Sequence, residues 1–148
     1  MIKEFTININ EDQLTNIKSK VEHYPWSSIE NMKAWTYGTN KKYLKELCDY
    51  WLKEFNWKKH EQLINSFKNY KTNVDGIDIH FIKEEGSGEN PKTLLLLHGW
   101  PGSVVEFLEI IKPLAHPEKF GGNIDDAFTV IAPSLPGFGF SGAPKEPI

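Results

Sequence analysis

The sequence predicts an α/β protein in which a helical meander, residues 1–69, precedes a sheet-forming segment, residues 70–148. Three observations predict this organisation. Apolar residues recur at helical spacing before residue 68, and an Asp-Gly pair at 75–76 separates two alternating strands. The apolar run 94–97 then ends in a glycine-rich corner that leads into a further helical pattern and a second apolar strand. Two strands joined through a helix run parallel, and such a crossover is right-handed.

Length and composition exclude several kinds of partner. A chain of 148 residues is long enough to bury a core without disulfides or a metal. Its net charge is −3, and all 17 basic residues are lysine, so no guanidinium is available to clamp phosphate and nucleic-acid binding is not expected. No apolar run has the length of a membrane span, and the N-terminus lacks a signal-like core, which predicts a soluble, cytoplasmic protein.

The pattern of the first half predicts an extended segment followed by helices. Phe5, Ile7 and Ile9 alternate with polar residues, and Asn10 with Gln13 predicts the start of a helix that ends before Pro25. A loop covers residues 27–39. A second helix follows Asn40, and a third spans 57–67; the residues expected to face inward are Tyr43, Leu44, Leu47, Cys48, Trp51, Leu52, Leu63, Ile64 and Phe67. The tryptophans in this region are interpreted as packing residues rather than a cofactor box, and Cys48 as a buried small hydrophobe.

The second half changes to strand patterns. Asp75-Gly76 predicts a tight hairpin, and residues 84–91 form a polar loop. The four leucines at 94–97 are expected to be buried on both faces of a sheet. Ser103 and Glu106 have the spacing of a capping box, so a helix begins there, with Val104, Leu108 and Ile111 facing the sheet as far as Pro113. The strand 128–133 precedes a tail rich in proline and glycine.

The HGWPG corner, residues 98–102, lies where open α/β sheets bind ligands, at the carboxyl end of a parallel strand. Gly99 and Gly102 are expected to adopt backbone conformations that other residues resist, and Pro101 fixes its own φ and donates no hydrogen bond. Such a turn can aim the backbone N–H of Trp100 at negative charge developing on an oxygen. His98 is expected to orient the turn through hydrogen bonds rather than to act in catalysis.

Nearly the whole chain resembles the N-terminal part of microsomal-type epoxide hydrolases, which include juvenile hormone epoxide hydrolases. The resemblance runs through FTININEDQL, the segment from WTYGTN to INSF, VDGIDIHFI, LLLLHGWPGSVVEFLEIIKPL and FTVIAPSLPGFGFSG. It implies a partial α/β-hydrolase fold preceded by a helical meander that wraps the catalytic domain. It also implies an oxyanion-hole turn with the substrate-binding positions His98, Gly99, Trp100 and Pro101, the Trp100 amide as the catalytic donor, and no metal or organic cofactor. The segment KSKVEHYPW departs from the arginines usual in relatives, and the membrane anchor of some eukaryotic members is not found.

The same resemblance implies the reaction. In the family an aspartate opens the epoxide to an ester, and a histidine paired with an acid activates the water that hydrolyses it. Relatives place these three residues after the region matched here. The predicted function is therefore the N-terminal portion of an epoxide hydrolase that converts small apolar epoxides to diols, inactive alone. The alternative is a non-catalytic binding or interaction module derived from such an enzyme.

Other candidate motifs are weaker. Ser141 nearly fits a Gly-x-Ser-x-Gly nucleophile elbow, and Gly137, Gly139 and Gly142 fit a dinucleotide fingerprint, but Pro144 and Pro147 oppose the helix that either motif requires. A small esterase using Ser141 is accordingly disfavoured. Asp125 and Asp126 are interpreted as solvated turn residues, and the five histidines have no metal-ligand spacing. His80 and His98 could approach one another across the sheet, which the sequence leaves open.

The resemblance also bears on association. In the family sheet order, the strand at 94–97 lies between the strand at 128–133 and the strand that carries the nucleophile. One edge of its backbone would then lack a partner in this chain, and an apolar unpaired edge promotes association. The chain is therefore expected to self-associate, to aggregate or to need a complementing chain.

Overall fold

A computed structural model describes residues 1–27, 35–36 and 38–145, and it divides the chain into two compact units. The N-terminal unit comprises residues 8–60, and the sheet unit comprises residues 1–7 together with 61–148. The predicted boundary lay at residues 69 and 70. Residues 61–69 belong with the sheet because Ile64 and Phe67 are buried there and because Asn65 exchanges two hydrogen bonds with the backbone of Ile7, at 2.9 and 2.8 Å.

The N-terminal unit consists of α1 (Glu11–Glu22), α2 (Lys41–Lys53) and the first turn of α3 (Trp57–Asn65). Asn10 caps α1 by accepting a hydrogen bond of 2.8 Å from the backbone N–H of Gln13, as predicted. Asn40 caps α2 in the same way through its side-chain oxygen. The helix α1 ends before Pro25, and most of the predicted loop 27–39 lies outside the described residues.

The apolar stripe of α2 is more exposed than its periodicity indicates. Tyr43, Leu47 and Trp51 are 50%, 46% and 42% exposed, and Cys48 is only partly buried. The prediction of an inward-facing stripe was wrong for these three residues, whereas Leu44, Cys48 and Leu52 are half-buried. Within this unit α1 is the helix that packs on α2, and two helices enclose only a narrow seam. A groove of about 820 Å³ runs along this pair; its lining includes Ile9, Leu14, Ile17, Leu47, Trp51 and Trp57.

The third helix was predicted over residues 57–67, of which α3 covers Trp57–Asn65. The inward-facing prediction for this segment holds for two residues and fails for one. Ile64 and Phe67 are buried, whereas Leu63 is 51% exposed. The buried face of α3 passes through Glu61 and Ile64, three residues apart, and a residue at position 63 points away from that face.

The sheet has five strands in the order β1-β2-β3-β5-β4. Their bounds are β1 (Lys3–Glu4), β2 (Asn69–Val74), β3 (Ile77–Glu84), β4 (Lys92–Leu95) and β5 (Phe128–Pro133). The hairpin between β2 and β3 is confirmed: Asp75 and Gly76 have φ of +49° and +84°, the left-handed values that a two-residue type I′ turn requires. The predicted parallel pair is confirmed as well, since β4 and β5 run parallel, while β3 and β5 are antiparallel.

The connection from β4 to β5 begins with the predicted capping box. Ser103 Oγ accepts from the backbone N–H of Val105 at 3.3 Å, and the Glu106 carboxylate accepts from the backbone N–H of Ser103 at 3.2 Å. The first turn, Val104–Phe107, is 3₁₀, and α4 follows as Leu108–Ala115. The helix contains Pro113 instead of ending before it. Val104 and Ile111 are fully buried against the sheet as expected.

The strand β4 lies at the edge of the sheet, and one of its sides has no partner strand among the described residues. Leu95 and Leu97 are 55% and 58% exposed, so the prediction that all four leucines are buried was wrong. Successive side chains of a strand point to opposite faces, and in this chain the face that carries Leu95 and Leu97 is left largely uncovered. The core instead lies under α4, around Ile82, Val130 and Ala132.

Candidate active site

The turn at residues 98–102 follows β4 and has a fixed internal geometry. The peptide bond between Trp100 and Pro101 is cis, and the backbone N–H of Gly102 donates to the Gly99 carbonyl at 2.8 Å. Neither glycine adopts a left-handed φ, which corrects the reason predicted for their presence. A Cβ at Gly102 would overlap the Glu106 carboxylate of the capping box, whereas a Cβ at Gly99 would meet nothing within 4 Å. A side chain at position 102 would displace the capping carboxylate and press on the Gly99 carbonyl at 3.0 Å, so close approach, rather than a left-handed torsion, favours glycine there.

Trp100 combines an exposed side chain with an unused backbone donor. The residue is 84% exposed, and its N–H makes no hydrogen bond to any part of the chain that the structure describes. Pro101 has no N–H, and the N–H of Gly102 is already bonded to Gly99. The turn therefore leaves the Trp100 amide available at the carboxyl end of a parallel strand.

His98 is buried at the base of the turn, and both of its ring nitrogens are engaged. Its Nε2 accepts a hydrogen bond of 3.1 Å from the backbone N–H of Leu135, so its Nδ1 carries the proton and donates to the Gly99 carbonyl at 3.0 Å. The ring also packs edge-on against Phe138, with ring centroids 5.5 Å apart. These contacts suit a residue that orients the turn, the role expected for His98.

A second buried histidine fixes the loop that follows β5. His80 is fully buried; its Nδ1 lies 2.9 Å from Ser134 Oγ, and its Nε2 lies 2.9 Å from Asn69 Oδ1. Burial, with a smaller contribution from the charge of Lys71, lowers the pKa of His80 to about 4, so the ring is neutral near pH 7. His80 and His98 thus hold consecutive residues, Ser134 and Leu135.

Sequence reasoning missed Asn69 and Ser134 as members of this arrangement. One signal was present, because His80 lies within the apolar run of β3 between Ile79 and Phe81. A histidine at a core-facing strand position needs buried polar partners. Its partners lie 11 and 54 residues away in the chain, and only the pairing of the strands shows which residues they are.

Ser141 has a structural role in the loop, and residues 142–145, the described residues that follow it, form no helix. Its hydroxyl donates to the Ser134 carbonyl at 2.7 Å and accepts from the backbone N–H of His80 at 2.9 Å. Gly137 and Gly139 occupy left-handed turns in the same loop. Neither the nucleophile elbow nor the dinucleotide fingerprint has its required helix at this place. Asp125 and Asp126 are exposed residues of a short 3₁₀ turn, as predicted.

Within the described ranges, the side chains of His, Cys, Asp and Glu form no group of three or more that could hold a metal ion. The described helices include none with the length and apolarity that crossing a bilayer requires. The groove between α1 and α2 belongs to the N-terminal unit and includes no residue of the turn.

Comparison with known proteins identifies the family. Residues 2–107 match the family model of the epoxide hydrolase N terminus. The chain belongs to this epoxide hydrolase family. Residues 92–147 match the model of the α/β hydrolase fold, which places the turn and the loop after β5 within that fold. The resemblance inferred from the sequence motifs is confirmed.

Relatives and solved structures agree with this assignment. The chain is 37% identical to epoxide hydrolase 1 of Oryctolagus cuniculus, over 98% of this chain and 33% of that protein. It superposes on the epoxide hydrolase of Aspergillus niger with a TM-score of 0.84 and 31% identity, over 97% of this chain and 37% of that one. The juvenile hormone epoxide hydrolase of the silkworm Bombyx mori gives a TM-score of 0.83 and 34% identity, over 99% and 35% of the two chains. The chain thus has part of the α/β-hydrolase fold and spans about a third of the length of these relatives.

Proposed function

We propose that this chain is the N-terminal part of an enzyme that hydrolyses apolar epoxides to diols, and that the backbone N–H of Trp100 contributes to its oxyanion hole. The observation that carries the proposal is the unpartnered Trp100 amide, held in a cis-proline turn at the carboxyl end of β4. Family membership supplies the reaction class. The chain alone is proposed to be inactive.

The amide would act in the second half of the reaction. In the mechanism implied by the family, an aspartate carboxylate attacks an epoxide carbon, the C–O bond breaks, and an ester forms. Water then adds to the ester carbonyl, and the negative charge gathers on its oxygen. A fixed N–H donor close to that oxygen stabilises the charge in the transition state and needs no rearrangement. The nucleophile, the acid and the catalytic histidine would come from the region that follows the matched segment in relatives.

The surroundings of the amide suit an apolar substrate. The Trp100 indole projects into solvent and can form one wall of an apolar pocket, and Pro101 adds a second apolar surface beside it. His98 and Gly99 hold the turn from below, through the hydrogen bond between Nδ1 and the Gly99 carbonyl. The proposed substrate-binding surface is therefore formed by Trp100 and Pro101; His98, which the sequence placed in it, is buried and supports the turn instead.

We also propose that the unpaired edge of β4 receives a further strand. In the complete enzyme this strand would come from the catalytic region, and in the isolated chain it would come from a second copy. The exposure of Leu95 and Leu97 beside this edge supports the proposal, because apolar side chains next to free backbone donors and acceptors favour strand addition.

The test supplies a catalytic region to the chain in a fusion protein. The chain is fused to the catalytic region of the Aspergillus niger epoxide hydrolase, and styrene oxide is supplied to the fusion and to the chain alone. We expect diol from the fusion and none from the chain alone. A folded fusion that forms no diol would refute the proposed role. If the chain alone turned over styrene oxide and Ser141→Ala abolished that turnover, the result would instead favour an esterase-like enzyme with Ser141 as its nucleophile.

A further inference from the structure

The loop after β5 is held from two sides by the two buried histidines. Ser134 bonds to His80 through both its backbone N–H, which donates to the His80 carbonyl at 2.9 Å, and its hydroxyl. The next residue, Leu135, donates its N–H to His98. The position of His98, and with it the turn that carries Trp100, therefore depends on where the loop places Leu135.

The proton positions in the His80 cluster follow from Asn69. The Nδ2 of Asn69 donates to the carbonyls of Ile64 and Phe67, at 2.9 and 2.8 Å, so its Oδ1 is the atom that faces His80. An amide oxygen only accepts, and His80 Nε2 must therefore carry the proton. The Nδ1 of His80 is then an acceptor, and the Ser134 hydroxyl donates to it.

The far end of the loop returns to the same cluster. Ser141 Oγ accepts from the backbone N–H of His80 and donates to the Ser134 carbonyl, and Gly142 N–H donates to the Asp78 carbonyl at 2.7 Å. The Phe140 ring packs edge-on against His80, with centroids 5.2 Å apart. Both ends of the loop are thus fixed to β3 around one imidazole, with each side-chain polar atom of the cluster paired.

We propose that His80 is a positioning residue for the Trp100 turn, acting through Ser134, Leu135 and His98. The proposal rests on the function proposed above, in which the Trp100 amide faces the reacting oxygen. Two neutral histidines of opposite tautomer form the connection: His80 is protonated on Nε2 and His98 on Nδ1. Neither ring is a catalytic residue in this arrangement, because His80 and Ser134 are 0% exposed and His98 is 4% exposed.

The tautomers of His80 and His98 can be measured directly, and they report on the proposed hydrogen bonds rather than on the overall stability of the fold. Two-bond ¹H–¹⁵N spectra of the ¹⁵N-histidine-labelled chain, assigned by His80→Gln and His98→Gln, report which ring nitrogen is protonated. A Leu97→Lys background is used if the chain self-associates. We expect a single Nε2–H form for His80 and a single Nδ1–H form for His98. The opposite tautomer at His80, or rapid averaging between tautomers, would overturn the proposal.

The coupling to the turn is tested with Ser134→Ala and the control Ser66→Ala. Each removes a hydrogen-bonded serine hydroxyl of the sheet unit. Ser134 is buried and bonds to His80, whereas Ser66 is exposed and its Oγ bonds locally to the Leu63 carbonyl at 2.7 Å. Ser134→Ala is expected to shift the backbone amide resonances of Leu135 and Trp100 and to disturb the His98 tautomer, and Ser66→Ala is expected to leave them in place. Unchanged Trp100 and Leu135 signals in folded Ser134→Ala would contradict the proposal.

The same two variants, Ser134→Ala and Ser66→Ala, distinguish a failure of the positioning role from a failure of the proposed function. In the fusion with the catalytic region, Ser134→Ala should lower kcat with little change in KM, because the oxyanion donor would be misplaced while the apolar substrate surface is kept. Equal kcat in Ser134→Ala and Ser66→Ala would refute the positioning role. A fusion without activity would instead refute the proposed function, and the spectra of the chain would still decide whether the two tautomers are fixed as inferred.

Discussion

The Nε2 atom of His98 accepts a hydrogen bond of 3.1 Å from the backbone N–H of Leu135, which ties the turn after β4 to the loop after β5. The two residues are 37 positions apart in the chain and lie at the ends of the two parallel strands. The turn is consequently braced from outside as well as by its own bond between Gly102 and Gly99. Such bracing would preorganise the Trp100 amide for the oxyanion-hole role proposed for it, since preorganisation is what makes a fixed donor effective.

Replacing His98 by phenylalanine should destabilise the sheet unit. The substitution keeps an aromatic ring in the buried site but leaves the Leu135 N–H without its partner, while the Gly99 carbonyl keeps only its bond from Gly102. A buried polar group that loses its hydrogen bond costs about 1–3 kcal/mol. Urea unfolding of His98→Phe should show a loss of that size. His60→Phe is the control, because His60 is exposed on α3, and a loss as large as that of His98→Phe would argue against this explanation.

Stability should depend on pH through His80. Burial lowers its pKa from 6.5 to about 4, so between these values the unfolded chain binds a proton that the folded chain does not. The free energy of unfolding should therefore rise as pH increases through this window and stay level above it, with a total change of roughly 3 kcal/mol.

The His80→Gln variant isolates that contribution from the carboxylates that titrate in the same range. Glutamine can still donate and accept but carries no titratable group. Urea unfolding is measured between pH 4 and 7.5 for both chains, and the difference between the two curves is expected to flatten above the ordinary histidine pKa of 6.5. A difference that is independent of pH would show that His80 is not a buried neutral imidazole.

Two glycines of the loop after β5 should respond differently to alanine. Both have left-handed torsions, with φ of +82° at Gly137 and +51° at Gly139, which cost an alanine about 1–2 kcal/mol. A Cβ at Gly137 meets nothing within 4 Å, but a Cβ at Gly139 would lie 2.6 Å from Ser134 Oγ. Gly139→Ala should therefore be the more destabilising of the two in urea unfolding, and it should also disturb the His80 tautomer. Equal losses would mean that the contact with Ser134 is unimportant.

Much of the fold could be predicted from local signals. The Asp75-Gly76 pair, the Ser103 capping box and the strand-helix-strand pattern each act over a few residues, and all three are confirmed. The exposure of Leu95 and Leu97 could not be predicted from the leucines themselves, because it depends on β4 being outermost in the sheet. The preference for glycine at position 102 was misassigned for a different reason: the decisive neighbour is the Glu106 carboxylate, which the capping box brings back over the turn.

The candidate site, too, could be predicted only in part from the sequence. The HGWPG turn was recognised from its residues, and the engagement of His98 suits the role expected for it. The cluster of Asn69, His80 and Ser134 depends on the register of β2 on β3 and of β3 on β5, which no local pattern encodes. A histidine in an apolar strand was the one available signal.

The free edge of β4 should make the isolated chain associate. Leu97→Lys places a charge on the exposed side chain beside this edge, which is a common protection of edge strands. Leu63→Lys is the matched control, because Leu63 is similarly exposed on α3, at 51% against 58%. Sedimentation velocity at micromolar concentration should show assemblies for the wild-type chain and for Leu63→Lys, and a shift towards monomer for Leu97→Lys. A monomeric wild-type chain would contradict the proposed role of the edge.

The most direct test of the central claim removes a single hydrogen-bond donor. In the fusion with the catalytic region, the Trp100 backbone N–H is replaced by an ester oxygen through the corresponding α-hydroxy acid, which keeps the indole and the following Pro101. Loss of one oxyanion-hole donor lowers kcat by roughly 100- to 1,000-fold in other enzymes, and a decrease of that order in diol formation from styrene oxide is the expected result. An ester variant that forms diol at the unmodified rate would contradict the account.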